Sequence, residues 1–149
     1  MDLILWRHAE AKPARPGDDD LARELTAKGE RQARRMAEWL NQRLAERTRI
    51  LVSPAVRTQQ TAQALGRPLR TVQALAPDAE VAAVLEAARW PDGPDPVLIV
   101  GHQPTLGLVA STVLAGQALP WSVKKGAVWW LRQRDEGVVL HAVQGPDGL

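Results

Sequence analysis

The sequence predicts an α/β layered domain with a mainly parallel central sheet and one antiparallel edge, and three observations carry that prediction. Short apolar runs bounded by turn residues recur along the chain, helical segments fall between several of them, and the C-terminal third ends in two runs joined by a tight turn. The runs are residues 3–6, 49–52, 97–100, 127–131 and 138–143, and each reads as a strand. Glu136-Gly137 reads as the turn of a closing hairpin, which supplies the antiparallel edge. Within that hairpin, Trp129 and Trp130 must point to opposite faces of the sheet, and His141 reads as a structural or exposed strand residue.

The helices follow from periodicity and capping chemistry. In residues 30–44, Ala33, Met36, Ala37, Leu40 and Leu44 recur at helical spacing, with arginine, glutamate and glutamine on the other face. This predicts an amphipathic helix lying on a flat surface, with Thr26 as its N-cap. Ser53-Pro54 places an N-cap side chain before a proline at the first helical position, so a second helix is expected to start there and run to Gly66. A third is expected over residues 79–88, and a fourth begins near Pro104. Residues 12–20, with Pro13, Pro16, Gly17 and three aspartates, read as an exposed loop, and residues 90–96 as a Pro/Gly/Asp connector.

Length and composition narrow the function classes. At 149 residues the chain is expected to form one domain over residues 1–149. It has no cysteine, which excludes disulfides, thiolate metal sites and thiol redox chemistry and suits a cytoplasmic protein. The first apolar run stops at residue 6 without a basic segment before it or a small-residue cleavage pattern after it, so neither a signal peptide nor a membrane span is expected. Nineteen basic residues nearly balance 17 acidic ones, the lysines and arginines are scattered, and Lys124-Lys125 is the only lysine pair, so nucleic acid is not an expected partner.

An open α/β sheet also predicts where chemistry should sit, because ligands bind at the carboxyl ends of its strands, where helix N-termini point free N–H groups. Arg7-His8 follows the first run, Ser53-Pro54-Ala55-Val56-Arg57 the second, and Gly101-His102-Gln103-Pro104 the third. Three strand ends thus deliver two histidines and two arginines to one edge of the sheet, a cationic set suited to a tetrahedral dianion. A histidine at a strand end is by itself more often structural, and Arg57 alone would be a solvated helix residue. The four in register change that balance. Arginine forks match phosphate oxygens, and an imidazole can attack phosphorus through one ring nitrogen while the other is held by a carbonyl. With that much positive charge supplied by side chains, no metal or other cofactor is required. The three histidines lie far apart without ligand spacing, and Asp18-Asp19-Asp20 reads as solvated loop because consecutive side chains do not point one way.

Four stretches match a known family in order and spacing: residues 5–11 (LWRHAEA), 25–29 (LTAKG), 53–62 (SPAVRTQQTA) and 100–104 (VGHQP). Together they resemble the histidine phosphatase (phosphoglycerate mutase-like) superfamily, and the short chain and the form of the third stretch look most like its small SixA-type phosphohistidine phosphatase branch. The resemblance implies a three-layer α/β/α sandwich with His8 as the nucleophile and Arg7, Arg57 and His102 completing the phosphate pocket. It further implies a phosphohistidine-bearing protein as substrate and inorganic phosphate as product. Arg23 resembles a family arginine that can reach the groove. Larger relatives carry a carboxylic acid that protonates the leaving group, and by order Asp78 and Glu80 are the nearest candidates here. The family usually has glycine after the nucleophile, whereas this chain has Ala9, which is expected to add a methyl group beside the phosphate site. A small-molecule phosphomonoesterase or mutase, and a catalytically weak phosphate-binding regulatory domain, remain alternatives.

Overall fold

The computed structural model describes residues 1–149. Its strands are β1 (Asp2–Arg7), β2 (Arg49–Val52), β3 (Arg70–Thr71), β4 (Val97–Gly101), β5 (Val128–Arg134) and β6 (Gly137–Gln144). The α-helices are α1 (Ala27–Asn41), α2 (Val56–Gln63), α3 (Val81–Ala88) and α4 (Thr105–Ala115). One six-stranded sheet has the order β3-β2-β4-β1-β5-β6. Strands β3, β2, β4 and β1 run parallel, and β5 and β6 add the antiparallel edge.

Side-chain alternation turns this sheet into the middle of three layers. Leu3, Leu5, Leu51, Val97 and Ile99 pack on one face against Val84 and Ala88 of α3 and Leu106, Val109 and Ala110 of α4. Ile4, Trp6, Ile50, Val52, Leu98 and Val100 pack on the other against Met36, Ala37 and Leu40 of α1 and Ala62 of α2. Because helices cover both faces, the central strands are apolar throughout rather than alternating. The tryptophan pair divides as expected, with Trp130 in the α1 layer and Trp129 against the α4 layer. No helix is long and apolar enough to cross a membrane.

Several boundaries differ from the sequence expectation, each for a local reason. Thr26 does cap α1, its hydroxyl accepting from the Gly29 N–H at 3.0 Å, but the helix starts at Ala27 and ends at Asn41, leaving the buried Leu44 beyond it. Helix α2 starts at Val56, after an Ala55 N-cap without a side-chain bond; the Ser53 hydroxyl accepts from the Ala55 N–H at 3.3 Å and also meets His102 Nε2. Asp78, with φ 66°, turns the chain before α3, which therefore begins at Val81 rather than residue 79. The hairpin turn is Asp135-Glu136, one residue earlier than expected, with Gly137 opening β6. Strand β3 is only two residues long and leaves no alternation to read. His141 sits exposed at a bulge, since Trp130 pairs with Ala142 and Leu131 with Leu140, and its ring lies 5.5 Å from that of Trp130.

Gly107 lets α4 approach the segment that leads into β5. A Cβ at this position would fall far inside van der Waals contact with the Trp121 carbonyl oxygen. Gly107→Ala is therefore expected to lower stability by about 1–3 kcal/mol, the usual cost of overpacking, read as a lower urea midpoint. An unchanged midpoint would contradict this packing.

Candidate active site

Arg7 and His8 sit where β1 leaves the sheet, and main-chain bonds fix them there. The Arg7 N–H donates to the Ala127 carbonyl at 3.1 Å, the His8 N–H to Gly101 at 3.2 Å, and the His8 carbonyl accepts from the Gly126 N–H at 3.0 Å. The Arg7 guanidinium donates to the Val123 carbonyl at 3.0 Å. His8 Nδ1 lies 2.7 Å from the carbonyl oxygen of Ala9. A carbonyl only accepts, so Nδ1 carries the proton and Nε2 of the neutral ring keeps its lone pair. Burial pushes the His8 pKa down to about 4; the Ala9 hydrogen bond opposes this, and the nearby guanidinium groups of Arg57, Arg7 and Arg23 reinforce it.

The third motif ties α2 to this strand end residue by residue. Thr58 Oγ1 and Gln59 Nε2 donate to the Ser53 carbonyl at 3.0 and 2.9 Å, and Gln60 Oε1 accepts from the Leu25 N–H at 2.7 Å. Thr61 Oγ1 accepts from the Ala9 N–H at 3.1 Å and donates to the Arg57 carbonyl at 2.8 Å. Arg57, carried on this helix, is only 4% exposed, and its guanidinium is held by Asp20.

His102 follows β4 directly and is equally buried, with its ring centroid 5.4 Å from that of His8. Its Nε2 lies 2.7 Å from Ser53 Oγ. Burial first, then the charge of Arg57 and the His8 ring, push its pKa down to about 3. Arg7, His8, Arg23, Arg57 and His102 line one cavity of about 240 Å³, with Gln103 and Lys125 also on its wall. Arg7 Nε, Arg57 Nε and His102 Nδ1 are buried without a partner in the protein. Such a wall can bind a tetrahedral anion and present a neutral imidazole to it. A larger cleft of about 440 Å³, formed within residues 12–24, adjoins this cavity at Arg23 but contains neither histidine.

Other predicted positions fall differently. Asp78 and Glu80 are exposed and line no part of the cavity; Pro77 does. The Ala9 methyl is buried against Leu25 and Ala33 rather than beside the anion site, so the departure from glycine is absorbed by packing. The aspartate run is not wholly solvated loop. Asp20 accepts from Arg57 through its carbonyl at 2.8 Å and its carboxylate at 3.1 Å, and its other oxygen accepts from Arg23 at 3.0 Å. Burial alone would raise the Asp20 pKa, but the hydrogen bond from Arg23 and the charge of Arg57 hold it below the ordinary carboxylate range. Sequence reasoning also passed over Gln103, although it stands inside the fourth motif, and Lys125, although it belongs to the only lysine pair. No three His, Asp or Glu side chains come together as a metal-ion site.

The two depressed histidine values give a pH prediction with a definite sign. Since His8 and His102 protonate in the folded state only near 4 and 3, both rings are expected to stay neutral down to about pH 5 in an imidazole NMR titration. The unfolded chain takes up those protons near 6.5, so stability is expected to fall as pH drops from there toward 4. A midpoint near 6.5 for either ring would contradict the buried geometry.

This site has the make-up for handling a phosphoryl group, and comparison with known families assigns the class. The histidine phosphatase superfamily (branch 1) matches residues 3–80, more than half of the chain. The chain belongs to this family and is a phosphatase. It is 34% identical to an uncharacterized protein of Picosynechococcus sp., over 95% of this chain and 90% of that one. It is 31% identical to the phosphohistidine phosphatase SixA of Escherichia coli, over 80% of this chain and 78% of that one. The solved structure of the protein histidine phosphatase SixA complexed with tungstate superposes with a TM-score of 0.84 at 25% identity, covering 99% of both chains.

Proposed function

We propose that this phosphatase acts on phosphohistidine in a protein and turns over through a phosphoryl group carried on His8. In the first step His8 Nε2 attacks phosphorus as the P–N bond to the substrate imidazole breaks, and the departing nitrogen takes a proton from solvent. Arg7, Arg57 and His102 hold the non-bridging oxygens, with Arg23 at the entrance. In the second step water attacks the phosphoryl group on His8, giving inorganic phosphate and regenerating the neutral imidazole. The guanidinium groups neutralise the phosphoryl charge that a metal ion would otherwise neutralise, so the reaction is metal-independent.

One observation carries the substrate class: neither Asp78 nor Glu80 reaches the cavity. An alkoxide leaving group needs a general acid, whereas a phosphoramidate leaves through a nitrogen that is itself basic. Similarity to SixA of Escherichia coli supports the same class. The open cleft beside Arg23 supports a bulky substrate rather than a small enclosed one. Rates on a phosphohistidine-bearing protein and on sugar or glycerate phosphates, with chelator present throughout, test the reading. A kcat/KM preference for the former of roughly a hundredfold or more is expected. Preference for the small esters would establish a phosphomonoesterase or mutase instead, and phosphate binding without turnover a regulatory domain.

A further inference from the structure

We infer that Ser53 is a positioning residue that fixes the tautomer of His102, so that His102 turns an Nδ1–H donor toward the bound phosphoryl group. The inference rests on the phosphoryl pocket proposed above, but its basis is the hydrogen-bond accounting around one hydroxyl. Ser53 is fully buried, and its Oγ has two neighbours, the Ala55 N–H at 3.3 Å and His102 Nε2 at 2.7 Å. The Ala55 N–H can only donate, so toward Ala55 the hydroxyl is an acceptor. Thr58 Oγ1 and Gln59 Nε2 take the Ser53 carbonyl and leave the hydroxyl untouched. The hydroxyl proton therefore has one acceptor within reach, the Nε2 lone pair of His102.

The opposite assignment carries two faults. If Nε2–H donated to Ser53, the hydroxyl proton would be buried without an acceptor, which costs the desolvation of that group. It would also leave a bare Nδ1 lone pair on a ring that lines the cavity with Arg7 and Arg57, where it would repel the oxygens those arginines hold. With Ser53 as donor, the proton sits on Nδ1, the buried ring nitrogen that has no partner in the protein. Burial keeps the ring uncharged, so which nitrogen bears the single proton decides whether His102 attracts or repels an anion. The two histidines then share the Nδ1–H tautomer and serve opposite ends of the chemistry. His8, bonded back to Ala9 through Nδ1, offers a lone pair to phosphorus, and His102, bonded back to Ser53 through Nε2, offers a proton to oxygen.

Imidazole nitrogen-15 NMR of the full chain at neutral pH, with His102→Gln used to assign the signals, tests this directly. The expected result is a protonated Nδ1 and an unprotonated Nε2 on His102. In Ser53→Ala the proton is expected to shift toward Nε2 and the Kd for inorganic phosphate to weaken roughly tenfold, with Ser53→Thr restoring both. A proton on Nε2 in the unaltered chain overturns the inference, as does a Ser53→Ala protein with unchanged tautomer. If Ser53→Ala fails to fold, the tautomer of the unaltered chain decides alone. Failure of the phosphatase reading would appear separately, as absence of phosphate binding in the unaltered chain while the tautomer stands.

Discussion

Replacing His8 with alanine is expected to lower turnover of phosphohistidine substrate by roughly ten-thousandfold or more, the scale seen when a covalent nucleophile is removed. The contacts that hold this position are main-chain bonds to Gly101 and Gly126, which alanine keeps. What disappears is the Nε2 lone pair and the Nδ1 bond to the Ala9 carbonyl. The fold, followed by circular dichroism, and the binding of inorganic phosphate by Arg7, Arg57 and His102 are therefore expected to persist. His8→Ala with turnover within about tenfold of the unaltered chain would remove His8 from the chemistry.

Loss of the Arg57 guanidinium has the second-largest expected effect, a fall in kcat/KM of roughly a thousandfold in Arg57→Ala. The side chain is 4% exposed and offers charge-assisted bonds where negative charge develops. Its removal also strips Asp20 of two bonds and leaves that carboxylate facing only Arg23. Thr61 reaches the Arg57 carbonyl rather than its side chain, so the anchor between α2 and the β1 end survives the substitution. Arg57→Lys keeps the charge but loses the planar fork, and is expected to recover part of the activity, to within roughly a hundredfold. Near-normal kcat/KM in Arg57→Ala would place the phosphoryl group elsewhere.

What the sequence displays and what it hides divide along one physical line. Strands buried on both faces are apolar throughout, and an amphipathic helix repeats its apolar residues, so β1, β2, β4 and α1 are legible from local pattern. The ends of those strands are legible for the same reason, which is why Arg7, His8, Arg57 and His102 could be placed on one edge and are found lining one cavity. Contacts between distant positions leave no such trace. Ser53 has the local marks of an N-cap, and its hydroxyl accepts from the Ala55 N–H, but nothing local shows that a buried histidine 49 positions away also engages that hydroxyl. Asp20 looks like solvated loop, yet meets a guanidinium 37 positions along the chain. The side taken by the Ala9 methyl is set by Leu25 and Ala33, which are 16 and 24 positions away in the chain and pack around it.

The central claim is the phosphoryl group on His8, and a trapping experiment addresses it most directly. The unaltered chain is mixed with a phosphohistidine-bearing protein, quenched in alkali during turnover, and its peptides are weighed by mass spectrometry. One phosphoryl group on the peptide containing His8, formed and lost at rates that match turnover, is the predicted result. Phosphate released at full rate with no labelled His8 at any time, or with the label on another residue, would contradict it.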